Sequence, residues 1–182
     1  MKKLITSAFL FVILSLLSLT AQIQLSDSAR ISLLTVSPWT GAIYSLYGHT
    51  VLKVEDDSTG VDAAFNYGYF DSSQPYFMYH FIKGETDYVL GVTTYQDFLI
   101  ENQMKGLEVV EQELNLSTAQ KQQLWDLLYI NSLPENRRYR YNFLFDNCAT
   151  RPRDMVEMII QKPVQYPSTR SNQTFRDLIH EC

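Results

Sequence analysis

Cys148 is the side chain in this sequence best placed to do covalent chemistry. It follows Asp146 and Asn147, both good helix caps, and precedes Ala149 to Ile160, where Met155, Val156, Met158 and Ile159 supply an apolar helical pattern. A thiol at the start of a helix lies against amide N–H groups that favour negative charge, which lowers its pKa toward a reactive thiolate. Pro152 fits the opening turn but removes one backbone donor there. A cysteine at a helix start also has an ordinary structural reading, so its partner decides the matter. His49 follows Tyr47-Gly48 at the head of a strand, where Gly48 admits a second backbone or a substrate. A hairpin that sets Val54 opposite Val61 brings Asn66 opposite His49. Cross-strand partners share a face with Cβ atoms about 4.5–5.5 Å apart. The amide oxygen can then hold one imidazole nitrogen while the other meets a thiol. Nucleophile, base and orienter of this kind form a Cys-His-Asn set for nucleophilic catalysis. A slip of one residue turns Asn66 to the other face and leaves His49 as an ordinary strand-edge residue.

The elements that must position these groups are strands first and helices later. Ile31–Val36, Thr50–Val54, Val61–Phe70, Tyr88–Thr93 and Leu107–Leu114 read as strands, with turns at Ser37–Gly41 and Glu55–Gly60. Thr94 caps a helix through Asp97, with Tyr95, Phe98 and Leu99 inward and Gly106 as its stop. Ser117 to Gln120 is a capping box opening a helix with Leu124, Leu127 and Leu128 on one face. The expected fold is α+β, an antiparallel sheet packed against helices. Tyr67, Tyr69, Phe70, Tyr76, Phe77, Tyr79 and Phe81 fit core packing as well as a ligand box. Arg137, Arg138, Arg140, Arg151 and Arg153 form a basic cluster, read either as surface pairing with carboxylates or as contact with phosphate headgroups.

Tyr47-Gly48-His49-Thr50, Phe65-Asn66-Tyr67-Gly68 and the stretch Tyr141-Asn142-Phe143-Leu144-Phe145-Asp146-Asn147-Cys148-Ala149-Thr150-Arg151 resemble the periplasmic domain of Lnb-type lipoprotein N-acyltransferases. The likeness covers most of residues 28–180. It implies a circularly permuted papain/NlpC-like fold in which histidine precedes cysteine, an order shared by lecithin:retinol acyltransferase. It also implies Cys148 as nucleophile and His49 as base. Asn66 as orienter comes from the strand pairing instead. The implied reaction moves a fatty acyl group from a membrane phospholipid, through a Cys148 thioester, to the α-amine of a lipoprotein's lipidated N-terminal cysteine. The Cys148 N–H is a natural oxyanion donor, and Tyr44 is a candidate second donor. The partners implied are the lipid donor, the lipoprotein acceptor and the membrane surface, with no cofactor. Members of that family usually continue into a membrane-spanning C-terminal part.

Length and charge bound the alternatives. The chain has 182 residues and a formal net charge of −5, which fits one domain. Met1-Lys2-Lys3, an apolar run from Leu4 to Thr20 and small Ala21 describe an export signal over residues 1–21, or an N-terminal anchor. Cleavage after Ala21 leaves a domain over 22–182 with 13 basic and 20 acidic side chains, net −7. That charge excludes a nucleic-acid binder. With 46% hydrophobic residues and 24 aromatics, the chain is not disordered. Either reading of the start puts the domain outside the cytoplasm, in the periplasm at the membrane. Phe175, Leu178 and Ile179 lie at helical spacing, and the chain reaches Cys182 without a C-cap, as expected of the front part of a longer protein. His49, His80 and His180 lack ligand spacing with carboxylates, so no metal site is expected. Three functions stay open: the acyltransferase, an NlpC-type peptidase or amidase acting on cell-wall peptides, and an exported binding domain with Cys148 bonded to Cys182.

Overall fold

Runs of apolar residues buried on both faces build the central strands, and the two faces of the sheet receive different cover. The computed structural model describes residues 23–73, 75–166, 173–174 and 176–177. Six strands, β1 (Arg30–Val36), β2 (His49–Asp56), β3 (Val61–Tyr69), β4 (Asp87–Thr93), β5 (Val109–Glu113) and β6 (Arg138–Arg140), form one sheet. Their order is β5-β1-β2-β3-β4-β6, and every neighbouring pair is antiparallel. The described α-helices are α1 (Phe77–Ile82), α2 (Tyr95–Met104), α3 (Thr118–Ser132) and α4 (Thr150–Ile160), with a 3₁₀ turn at Ile43–Ser45. The architecture is α+β. Among the described residues no helix is long and apolar enough to cross a membrane.

One face carries Ile31, Leu52, Val54, Phe65, Tyr67 and Leu90 into the larger core against Leu124, Trp125 and Leu128 of α3 and Met155 and Ile159 of α4. Burying Leu124 and Leu128 completely stabilises the fold by about 1.5–3 kcal/mol each. The other face is covered by α2 alone: Phe98 closes a small cluster over Leu34, Val36, Val51 and Ala64. Both helix caps read from the sequence are present. Thr94 accepts from the Asp97 N–H, and Ser117 and Gln120 form the reciprocal capping box. The smaller face leaves the sheet end at the start of β2 and the end of β3 open to a cavity.

The β2–β3 register differs from the expected one by two residues. Val54 faces Ala63, and the ladder continues through Asp56 and Val61. The buried Asp56 carboxylate explains the longer ladder. It accepts from the Ser26 N–H at 2.7 Å, the Ser26 hydroxyl at 2.7 Å and the Ser58 N–H at 3.1 Å, which holds Asp56 in the strand and confines the turn to residues 57–60. A shift of two preserves the face each side chain points to. Asn66 therefore stays on the His49 side but is not opposite it; continued along the strands, the register brings Gly68 to that level. Two elements lie outside the expected set, namely β6 and α1. Tyr76 and Tyr79, grouped with the core aromatics, are 81% and 57% exposed, because α1 buries none of its residues. The apolar start over residues 1–21 and, in the terminal segment, Phe175, Leu178, Ile179, His180 and Cys182 lie outside the described residues.

Candidate active site

Asn147 builds the turn that presents Cys148. Its Oδ1 accepts from the Ala149 and Thr150 N–H groups at 2.9 Å each, and Thr150 Oγ1 accepts from the Asn147 N–H at 2.8 Å. This is a capping box written with Asn and Thr. The Arg151 N–H reaches the Asn147 carbonyl at 3.1 Å, so Cys148 occupies the first position of the helical turn leading into α4. The side-chain cap consumes the two N–H groups that follow Cys148 and leaves the Cys148 N–H directed at its own sulfur. Pro152 has no N–H to return to the Cys148 carbonyl. The preceding loop is fixed by Arg151, which grips Asp146 with two bonds of 2.5 and 2.8 Å and stacks 3.7 Å over the Tyr139 ring. Three of the five clustered arginines thus pair with carboxylates, since Arg140 meets Asp87 at 2.6 Å and Arg153 meets Asp154 at 2.5 Å.

His49 is the first residue of β2 and lies on the α2 face with Asn66. Its Nε2 is 2.7 Å from Asn66 Oδ1, and the same oxygen accepts from the Gly68 N–H at 2.7 Å. The backbone bond sets the amide with its oxygen toward the ring, so Nε2 is the protonated nitrogen and Nδ1 is left to the thiol. The imidazole and the Cys148 thiol line the same cavity and act on each other electrostatically. Gly68 makes the arrangement possible: a Cβ there would lie 2.5 Å from His49 Cε1 and 2.9 Å from Asn66 Oδ1. A bulge between Asn66 and Tyr69 then brings Tyr69 onto the same face, where it meets the Asn66 side chain. Tyr69 packs over Gly91, where a Cβ would come within 2.2 Å of its ring.

The two reacting groups tune each other. Burial lowers the His49 pKa, but the hydrogen bond and charge of Cys148, then Asn66 and the Glu101 charge, outweigh it and raise it above the ordinary value. Burial raises the Cys148 pKa, but the hydrogen bond and charge of His49, with the N–H groups of Thr50 and Cys148, bring it below the ordinary value. Both directions favour the thiolate–imidazolium pair. Burial, then the Cys148 charge, pushes the nearby Tyr141 hydroxyl up to about 12, so that ring brings no charge to the site. Among the described residues no group of three or more His, Cys, Asp or Glu is placed to hold a metal ion.

His49, Asn66, Cys148 and Tyr44 line one cavity of about 240 Å³. All four residues singled out from the sequence therefore meet in one place. Tyr44 stands on the 3₁₀ turn, edge-on to Phe70 with centroids 4.8 Å apart. Phe70, Tyr88 and Tyr141 continue an aromatic wall; the last two are stacked at 4.1 Å. Glu101 and Asn102 of α2 and Lys105, the residue that follows it, also line the cavity. Sequence reasoning missed Gly68, the Thr50 N–H, Tyr69 and Glu101. Only Gly68 had a signal, as a glycine two residues after Asn66 within a strand. Cys148 is a free thiol.

No curated protein and no solved structure matches the chain. The family model described as the Lnb N-terminal periplasmic domain matches residues 18–181, a span that includes every residue of the site, and the chain belongs to that family.

Proposed function

We propose that this domain is a cysteine-dependent acyltransferase that moves a fatty acyl group from a membrane phospholipid to the α-amine of a lipoprotein's lipidated N-terminal cysteine. The observation that carries the reading is that His49, held by Asn66, and Cys148 line one aromatic-walled cavity. His49 Nδ1 takes the thiol proton. The thiolate attacks the ester carbonyl of the lipid, a C–S bond forms, and the C–O bond breaks as His49 returns the proton to the departing lysolipid oxygen. The acceptor amine then attacks the thioester, the C–N bond forms and the C–S bond breaks, His49 takes the amine proton, and the thiolate leaves. The Cys148 N–H is the first donor to the developing oxyanion and Tyr44, in the cavity wall, is the second.

Several features support this reading over an amidase. The aromatic wall suits an acyl chain better than a cell-wall peptide. At about 240 Å³ the cavity is smaller than the roughly 300–1,000 Å³ typical of drug-sized ligands, so it takes the reacting end of a lipid while the membrane keeps the rest. Histidine on an early strand and cysteine at a late helix start are the order of a permuted papain/NlpC-like enzyme, the fold we assign. The family's periplasmic description supports an exported domain working at the membrane surface. The test is mass spectrometry of the full-length protein recovered from phospholipid membranes. A fatty-acyl adduct on Cys148 that is absent in Cys148→Ala and His49→Ala is the expected result. An unmodified Cys148 with release of amines from cell-wall peptides would replace this reading with the amidase.

A further inference from the structure

Two kinds of side chain line the cavity around the reacting pair. Phe70, Tyr88 and Tyr141 are aromatic, and the charge of the sulfur acts on Tyr88 and Tyr141; Glu101 and Lys105 are charged, and the Glu101 charge acts on His49. An acyl-enzyme whose chain lies along the aromatic wall leaves the imidazole side to the attacking nucleophile. We infer that Glu101 is the recognition residue for the acceptor, binding its α-amine as the ammonium beside the thioester. This rests on the acyltransferase reading and names the residue that selects the second substrate.

Three observations place the carboxylate for that task. Glu101 shares the cavity with His49 and Cys148, and its charge acts on both His49 and Tyr69, which puts it on the imidazole side of the site. Its side chain is 49% exposed, so a ligand can reach it. Its partner is exchangeable: Lys105 meets Glu101 at 2.7 Å across one helical turn, and such exposed pairs contribute little to stability. In the same pose the Lys105 ammonium also lies 5.7 Å over the Trp39 ring. The incoming ammonium competes with Lys105 for the carboxylate. An ammonium is not a nucleophile, so binding is followed by loss of one proton to water. The free amine attacks the thioester carbonyl, the C–N bond forms, the C–S bond breaks, and His49 takes the second proton. The amide departs, and the Cys148 thiolate–His49 imidazolium pair is regenerated. Glu101 touches the substrate; Lys105 only guards the site.

The test separates the two half-reactions in the full-length protein. Cys148 is charged from phosphatidylethanolamine vesicles, and the thioester is then discharged either by a diacylglyceryl-cysteinyl peptide with a free α-amine or by hydroxylamine, which is neutral at the assay pH. Glu101→Gln should raise KM for the peptide by about 10- to 100-fold, the cost of one charged hydrogen bond. Discharge by hydroxylamine should change by less than about twofold, and Glu101→Asp should recover much of the peptide KM. A Gln variant with an unchanged peptide KM overturns the assignment. So does an equal loss with both nucleophiles, which would mean that Glu101 acts through His49 or the fold. A wild-type protein that never forms the thioester is a separate outcome and removes the acyltransferase reading on which this one stands.

Discussion

Gly68→Ala is the sharpest perturbation this site offers, because it adds one carbon and no charge. Gly68 has no left-handed backbone, so alanine is tolerated by the main chain. The new Cβ would lie 2.5 Å from His49 Cε1, about 0.9 Å short of ordinary contact. Asn66 Oδ1 is 2.9 Å from the same point, so the carbon wedges between the ring and the amide that holds it. The imidazole must move by about 1 Å, and misplacement on that scale costs about 100-fold in rate. Two readouts follow. Acyl transfer at saturating donor should fall by about 100-fold, and alkylation of Cys148 by iodoacetamide should require a higher pH, because the thiolate loses its imidazolium partner. Gly60→Ala is the matched control in the turn of the same hairpin. Its φ of +72° makes alanine strained, yet nothing lies within 4 Å of the added carbon. It should lower stability by about 1–2 kcal/mol and leave the alkylation profile in place. A Gly68→Ala protein with wild-type transfer and an unshifted profile would refute the reasoning, since it would show that the position of the His49 ring does not matter.

Asn66→Ala removes the acceptor that fixes Nε2 as the protonated nitrogen; transfer should fall by about 10- to 100-fold while the urea midpoint moves little, and the two measured together distinguish orientation from unfolding. Arg151→Lys cannot reproduce the paired bonds to Asp146 or the stack on Tyr139, so it should behave almost like Arg151→Ala, each losing about 1–3 kcal/mol in urea denaturation. The Asp56 carboxyl is held down at about 2, against an ordinary 3.8, chiefly by the Ser26 N–H. A depressed carboxylate contributes stability that is complete above pH 3.8 and is lost as pH falls toward 2. Asp56→Asn should therefore flatten the acid arm of the thermal-midpoint profile across that window and lower the midpoint at neutral pH.

The fold was legible where local chemistry and burial agree. Thr94, Ser117 and Gln120 marked two helix starts because a cap is a contact within four residues, and the β-branched, apolar run of β1 marked a strand because most of it is buried; β5 showed its alternation of apolar and polar residues although none of them is buried. β6 escaped because three residues, Arg138 to Arg140, with only Tyr139 buried carry no period of their own; the strand exists because β4 offers an edge to pair with. α1 escaped for the opposite reason. Phe77 to Ile82 is apolar except for His80 and buries nothing, so its composition reads as core while its location is the surface, where Phe77 stacks on Phe70 at 5.2 Å.

The site was legible in its members and not in its spacing. Cys148, His49 and Asn66 were identified by residue type and neighbours, but the pairing proposed for the two strands was off by two residues, and the site survives that error for a physical reason. Side chains alternate along a strand, so an even shift returns Asn66 to the same face one level further away, and a diagonal neighbour at about 7–8 Å between Cα atoms is within reach of an imidazole. Reach alone does not make the bond, because a side chain at the level of His49 itself would stand in the way. Glycine at 68 removes it. The bulge that follows supplies the rest: it changes which side chain faces the site, so that Tyr67 points into the core and Tyr69, two residues on, points at Asn66 instead of repeating the core face. One strand thus serves the core through Tyr67 and the site through Asn66, Gly68 and Tyr69. A bulge is a mismatch between two strands, so it cannot be read from either one alone.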